Sequence, residues 1–315
     1  MHRLLTALLI LLLALPLQVW AAPEDSWAEH RAAQLDFDID GERLAYQDRG
    51  SGPVILMVHG VPTSSWLYRK LTADLVQRGY RVVVPDLVGF GASSKPTDEA
   101  ALDLGLQAER LLALMDHLGI ERWTQVCHDM GGLVTWELLE RAPERVERLV
   151  VLNTVAFEQG WNPPADMARH KVSKKIFRAM TRNEKRAMVL TRVLVTAGLE
   201  DRSICRDERV VEGYYRPLAG GAERAVLAFL SSFEQVKADL PRYQATLAGL
   251  DVPAIIIWGA HDHVLLADEH VPRLAEILEV PSERIHVLED GKHYIQEECA
   301  PQIAEHLDGF MEQTP

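Results

Sequence analysis

Short, unbroken apolar runs alternate along this chain with stretches of helical periodicity. That alternation constrains the fold more than any other feature. Val54–Val58 is apolar at every position, and residues 81–84, apolar after Arg81, form a second run, ended by Pro85. A strand of this kind is buried on both faces. Between the two runs, Trp66, Leu67, Leu71 and Leu75 recur at helical spacing until Gly79 stops the pattern. Leu104, Ala108, Leu111, Met115 and Leu118 mark a second amphipathic helix, stopped at Gly119. Further strands are expected at 123–127, 149–152, 254–258 and 285–288. Two earlier ones, at 34–38 and 45–48, are closed by Gly50-Ser51-Gly52-Pro53. The pattern predicts an α/β fold with a mostly parallel sheet flanked by helices.

One stretch breaks the rhythm. Residues 157–236 hold no convincing strand, only helix-like segments rich in Arg, Lys and Glu, with Asn162-Pro163-Pro164 and Gly220-Gly221 as bends. An all-helical insertion after a sheet strand reads as a lid over the C-terminal edge, where open α/β sheets place ligands. The expected organisation is a signal peptide at 1–21, core at 22–156, helical cap at 157–236 and returning core at 237–315.

The first residues read as a targeting signal. Arg3 precedes an apolar run at 4–17, and Val19-Trp20-Ala21 offers a cleavage site that avoids Pro23. That run falls short of the roughly 20 residues a spanning helix needs, so export to the periplasm or medium is expected, without stable membrane insertion after cleavage. An oxidising destination would permit a Cys205–Cys299 bridge, although nothing in the sequence brings the two together. Three cysteines exclude a disulfide scaffold. With 33 Lys and Arg against 46 Asp and Glu, the net charge of −13 offers nothing to a phosphate backbone. Nucleic acid is therefore an unexpected partner; a small-molecule substrate and water are the expected ones.

The chemistry concentrates at Cys127-His128-Asp129-Met130-Gly131-Gly132, between an expected strand and an expected helix at 133–141. A sharp strand-to-helix turn is crowded at its centre, and Cys127 and Gly131 supply small residues two before and two after Asp129. This is the spacing of a nucleophile elbow with Asp at its tip; the plainer alternative is an Asp that only caps the helix. Trp258-Gly259-Ala260-His261-Asp262 sets a second carboxylate just past a strand end. Gly291-Lys292-His293-Tyr294 sets an imidazole after the next strand. Asp129, Asp262 and His293 thus run nucleophile, acid and base, each at the C-terminal edge of one sheet. After Val54–Val58 comes His59-Gly60-Val61-Pro62, and the backbone amides of Val61 and Met130 are the natural oxyanion-hole pair.

From about Leu35 to the C-terminus the chain resembles the α/β-hydrolase superfamily, in its aspartate-nucleophile branch of haloalkane dehalogenases and epoxide hydrolases. The segments 59–69, beginning His59-Gly60-Val61-Pro62, and Pro85-Asp86-Leu87-Val88-Gly89-Phe90-Gly91 carry the likeness together with the triad. The resemblance implies that Asp129 attacks an sp³ carbon and forms an alkyl-enzyme ester. His293, oriented by Asp262, then activates the water that hydrolyses it. No metal or organic cofactor is implied.

The leaving group turns on other residues. Dehalogenases usually place a Trp directly after the nucleophile to cradle the halide; here that residue is Met130, and Val61 stands where many carry Asn or Glu. Trp161 could supply one indole. Epoxide hydrolases usually protonate the opening ring with two lid tyrosines, which makes Tyr214 and Tyr215 the candidate proton donors, with His170 another possible donor. Epoxide hydrolysis to a diol is the leading expectation. The alternatives are a haloalkane or haloacid dehalogenase with an altered halide site, an ester or lactone hydrolase, and a non-catalytic binding protein. The cluster His261-Asp262-His263 with His59 or His128 also invites a metal reading, but the triad accounts better for Asp262. Cys127, expected buried at a strand end, is a poor nucleophile. If the signal is cleaved as read, N-terminal sequencing of the exported protein begins at Ala22; an intact Met1 on the exported chain overturns that reading.

Overall fold

All eight expected strands form, and they join one sheet in the order β1-β2-β4-β3-β5-β6-β7-β8. The computed structural model describes residues 26–164 and 170–314, so the expected signal peptide lies outside the described residues. The strands are β1 (Leu35–Ile39), β2 (Glu42–Gly50), β3 (Val54–Val58), β4 (Arg81–Pro85), β5 (Trp123–Asp129), β6 (Val146–Thr154), β7 (Ala254–Gly259) and β8 (Ile285–Leu288). β1 pairs antiparallel with β2, and β2 antiparallel with β4; β4 through β8 are parallel neighbours. Parallel strands need crossovers, and the amphipathic segments supply them.

The period of two along each strand builds two cores. On one face Ile55, Met57, Val126, Val150 and Ile257 pack with α2 (Arg69–Gln77), through Leu71 and Leu75, and with the C-terminal helix, through Ile303 and Leu307. On the other face Leu56, Val58, Cys127 and Val151 pack with α3 (Leu104–His117) and α4 (Met130–Arg141). A short α1 (Trp27–Ala32) precedes the sheet. All three cysteines are buried and free, so Cys205 and Cys299 are not bridged.

Between β6 and β7 the described residues form α5 (Lys171–Thr181), α6 (Glu184–Ala197), α7 (Glu208–Pro217), α8 (Glu223–Ser231) and α9 (Phe233–Ala248). The last of these returns to the sheet layer, where Tyr243 donates to Glu137 on α4 at 2.7 Å and Arg242 reaches Glu137 and Glu140. Between β7 and β8 lies α10 (Ala267–Ile277), and after β8 come α11 (Ile295–Glu298) and α12 (Ala300–Gln313). No described helix is long and apolar enough to cross a membrane.

A buried polar cluster joins the helical stretch to the core. Glu297 on α11 receives a two-pronged contact from Arg69 on α2, including Nη2 to Oε2 at 2.9 Å, and the Tyr214 hydroxyl donates to Oε1 at 2.6 Å. Burial opposes the Glu297 charge, but Arg69, Lys70 and Tyr214 together hold its carboxyl at about 2. Truncating one partner of such a pair strands the other charge. Glu297→Gln is therefore expected to cost about 3 kcal/mol or more of stability in urea unfolding at neutral pH. A carboxyl lowered on folding stabilises above its ordinary value of 4.5 and loses that contribution as pH falls toward 2. The gap between wild type and variant should close over that window; a gap that stays constant would contradict the assignment.

Candidate active site

The site is assembled from the ends of five neighbouring strands. Asp129 is the last residue of β5 and takes φ 52°, ψ −125°, a left-handed conformation that costs an L residue on the order of 1–3 kcal/mol. The neighbourhood enforces it. Thr154 at the end of β6 donates its hydroxyl to the Asp129 carbonyl at 2.7 Å. A Cβ on Gly131 would fall 2.3 Å from the Val58 carbonyl, so only glycine lets α4 begin this close to β3. The turn aims the carboxylate into the loop after β3. There the Val61 amide donates to Asp129 Oδ1 at 2.7 Å, and the Met130 amide acts on the same group. His59 braces that loop, donating from Nδ1 to the Gly60 carbonyl at 2.8 Å and accepting the Leu87 amide on Nε2 at 3.0 Å.

Asp129 Oδ2 faces His293 Nε2 at 3.7 Å, and His293 Nδ1 donates to Asp262 Oδ2 at 2.8 Å. The structure thus brings Asp129, Asp262 and His293 into one line, with the Val61 amide at the other oxygen of Asp129. Because Nδ1 carries the proton to Asp262, Nε2 presents a lone pair. All three side chains are buried. Burial pushes the Asp129 carboxyl up, opposed by His293 and the two amides. Burial also opposes the Asp262 charge, yet His293, Asn153 and the Leu265 amide hold that carboxyl at about 2. For His293 burial favours the neutral ring, but the two carboxylates outweigh it and raise its pKa.

Three residues that sequence reasoning did not single out shape this geometry. Asn153, near the end of β6 at φ 29°, donates to Asp262 Oδ2 at 2.7 Å and accepts the Gly259 amide at 3.1 Å. A lone Asn at a strand end looks like any turn residue; its tolerance of positive φ was the available signal. Gly198, just past α6, accepts the amides of both His293 and Tyr294, at 3.0 and 3.1 Å. A Cβ there would sit 2.5 Å from the Tyr294 ring. Tyr294 itself stacks edge-on to His293, with ring centroids 5.0 Å apart, and its hydroxyl forms no hydrogen bond to a described residue.

A cavity of about 270 Å³ opens over Asp129, His293 and Tyr294. Its roof is apolar: Leu194 from α6, Val226, Phe229 and Leu230 from α8, Phe233 from α9, and Trp161. Trp161 lies in a segment stitched to the strand-end loop, where Asn162 donates to the Val264 carbonyl at 2.7 Å. A larger groove of about 550 Å³ runs behind Met130 between α4 and α9, but no triad residue lines it.

The candidate proton donors lie elsewhere. Tyr214 is spent on Glu297, away from the cavity, and Tyr215 packs beneath Arg216 and against the cluster around Trp66, not at the cavity. Adjacent helical residues point about 100° apart, and here neither direction meets Asp129. His170 is exposed at the start of α5 and does not line the cavity. His128 donates from Nε2 to the His293 carbonyl at 2.8 Å, and burial pushes its pKa down to about 3, so it supports the loop as a neutral ring. Among the described residues no group of three His, Cys, Asp or Glu is placed to hold a metal. Burial pushes the Cys127 thiol up to about 12.

The fold defines a hydrolase-type enzyme, with the Asp129 carboxylate at its strand-to-helix turn. The alpha/beta hydrolase fold family matches residues 53–300, and the chain belongs to it, in the dehalogenase and epoxide hydrolase type. It is similar to a cis-3-alkyl-4-alkyloxetan-2-one decarboxylase of Shewanella oneidensis, 30% identical over 299 residues, covering 87% of each chain. It is also similar to haloalkane dehalogenase 2 of Mycobacterium bovis, 31% identical over 284 residues, covering 85% of this chain and 91% of that one. Among solved structures, an epoxide hydrolase of Vigna radiata superposes with TM-score 0.68 at 25% identity, covering 89% of this chain and 97% of that one.

Since Asp262 raises the His293 pKa, an activity that needs the neutral ring should fall away as pH drops through a value above 6.5. Asp262→Asn is expected to slow turnover and to move that acid limb to lower pH in single-turnover kinetics. An unmoved limb would assign it to another group.

Proposed function

We propose that the protein hydrolyses small epoxides to diols through a covalent ester on Asp129. The observation that carries the reading is the line Asp129–His293–Asp262 beneath an apolar roof, with one oxygen of Asp129 already on the Val61 amide. In this scheme Oδ2 attacks an epoxide carbon as the ring C–O bond breaks, and the emerging alkoxide takes a proton. His293 Nε2 then removes a proton from water, and the hydroxide adds to the ester carbon of Asp129. The resulting negative charge forms on Oδ1, which the amides of Val61 and Met130 stabilise. Collapse breaks the Cγ–Oδ2 bond and restores the carboxylate, the acid proton leaving on the diol, and the proton held by His293 returns to the group that protonated the alkoxide.

Tyr294 is the proton donor in this reading. Burial first, and then the charges of Asp129 and Asp262, push its phenol up, so it stays protonated. It lines the cavity beside His293 with its hydroxyl bonded to no described residue, whereas the Met130 side chain offers a halide no donor. The Shewanella relative is named for an oxetan-2-one, also a strained oxygen ring, which supports ring opening as the shared step. The cavity lies near the small end of ligand sites, which run from about 300 to 1,000 Å³, and so favours compact substrates. A second reading, carbon–halogen cleavage, draws support from Trp161 at the cavity and from the relatives named as dehalogenases. The apolar N-terminal segment supports export to the periplasm or medium.

The deciding experiment offers His293→Ala a panel of epoxides and haloalkanes and weighs the intact protein. An epoxide adds its full mass and a haloalkane its mass less the hydrogen halide. The expected result is the epoxide adduct, mapped to Asp129. No adduct with any substrate, together with wild-type activity in Asp129→Asn, would end the covalent reading. Tyr294→Phe should lower the rate of adduct formation about 100-fold, the usual scale for a general acid; an unchanged rate would remove Tyr294 from the mechanism.

A further inference from the structure

We propose that the outer face of α5 and α6 docks the protein on an anionic lipid bilayer. Four large apolar side chains stand exposed there: Val172 and Ile176 one turn apart on α5, and Val189 and Val193 one turn apart on α6, each 56–68% accessible. Residues four apart share a helix face, so each pair forms a ridge. The buried sides of the same helices, Phe177 and Thr181 on α5 and Ala187, Thr191 and Val195 on α6, are turned inward.

Cations flank the ridges. From 171 to 193 the chain carries eight Lys and Arg and one acidic residue, Glu184, in a protein whose overall charge is −13. Lys171, Lys175, Arg178, Arg182, Lys185 and Arg186 are exposed and form no ion pair with a described residue. Glu184 itself is occupied by Arg216 at 2.9 Å. Exposed aliphatic side chains among exposed cations are the combination that lies in a headgroup interface, the cations on anionic lipid and the apolar groups at the acyl boundary. A soluble polyanion would use the cations but has no place for the valines and Ile176. The acidic remainder of the surface would hold the molecule in one orientation, with this face down. Leu194, the neighbour of Val193, turns into the active-site cavity from the same helix, so the docked face adjoins the cavity roof.

The test sediments the full chain with vesicles of phosphatidylcholine alone and of phosphatidylcholine mixed with phosphatidylglycerol. Binding should require the anionic lipid and weaken as salt is raised. Each cation near such a surface contributes a factor of about five, so reversing Lys175, Arg178 and Arg186 to Glu should lower partitioning at least tenfold. Replacing Val172, Ile176, Val189 and Val193 by Ser should also weaken binding while leaving the circular dichroism unchanged. Equal binding to neutral and anionic vesicles, or wild-type binding by the charge-reversed variant, would assign any adhesion to the N-terminal apolar segment and overturn the proposal. So would capture by heparin without vesicle binding, or a dimer that the serine variant dissolves and lipid does not.

Discussion

A carboxylate held at the buried end of a central strand is the constraint on which the rest of this structure depends. Taking such a charge out of water costs several kcal/mol unless donors and an opposite charge meet it. Here the Val61 amide, the Met130 amide and His293 do so, and each has to be delivered from a different strand end. The requirement explains the left-handed backbone at Asp129, the absence of a side chain at residue 131 and the bracing of the β3 loop by His59. It also explains why Asn153 matters although it touches no reacting group in the proposed scheme. Without a fixed Asp262, the imidazole would have no reason to present Nε2 to Asp129.

A second buried charge serves the architecture. Glu297 follows His293 by four residues, and through Arg69 and Tyr214 it links the loop that carries His293, the helix after β3 and α7. Fully paired buried ions contribute little net stability, but they are intolerant of partial disruption. The cluster therefore fixes one arrangement of three segments more than it deepens the folding minimum.

The sheet was legible because parallel strands announce themselves as continuous apolar runs. Each residue of the line Asp129–His293–Asp262 lies at or within a few positions of such a run's end, so local pattern reached it. Asp129 was legible through the small residues around it, since crowding at the turn is a local property. Tyr214 and Tyr215 were misdirected for the opposite reason. Which way α7 turns is set by Trp66, whose indole donates to the Val210 carbonyl at 3.1 Å and packs on Gly213, and by Glu297, more than 80 residues away. No periodicity within α7 encodes those partners. Tyr294 was in plain view beside His293, but a neighbour in a loop has an equal chance of facing inward or outward until the loop's hydrogen bonds are known. The pairing of Cys205 with Cys299 was open to sequence and is absent from the structure, where both thiols are buried and free.

The carbonyl of Gly198 accepts the amides of His293 and Tyr294 together. That single oxygen makes the helical roof and the His293 loop one mechanical part. A roof taken from another member of the family could match this one in size and polarity and still misplace the imidazole, unless it arrived with a carbonyl at the same point and a bare α-carbon beneath Tyr294. Diversification of the substrate pocket in this protein is thus free along α8 and α9, and tethered at the end of α6.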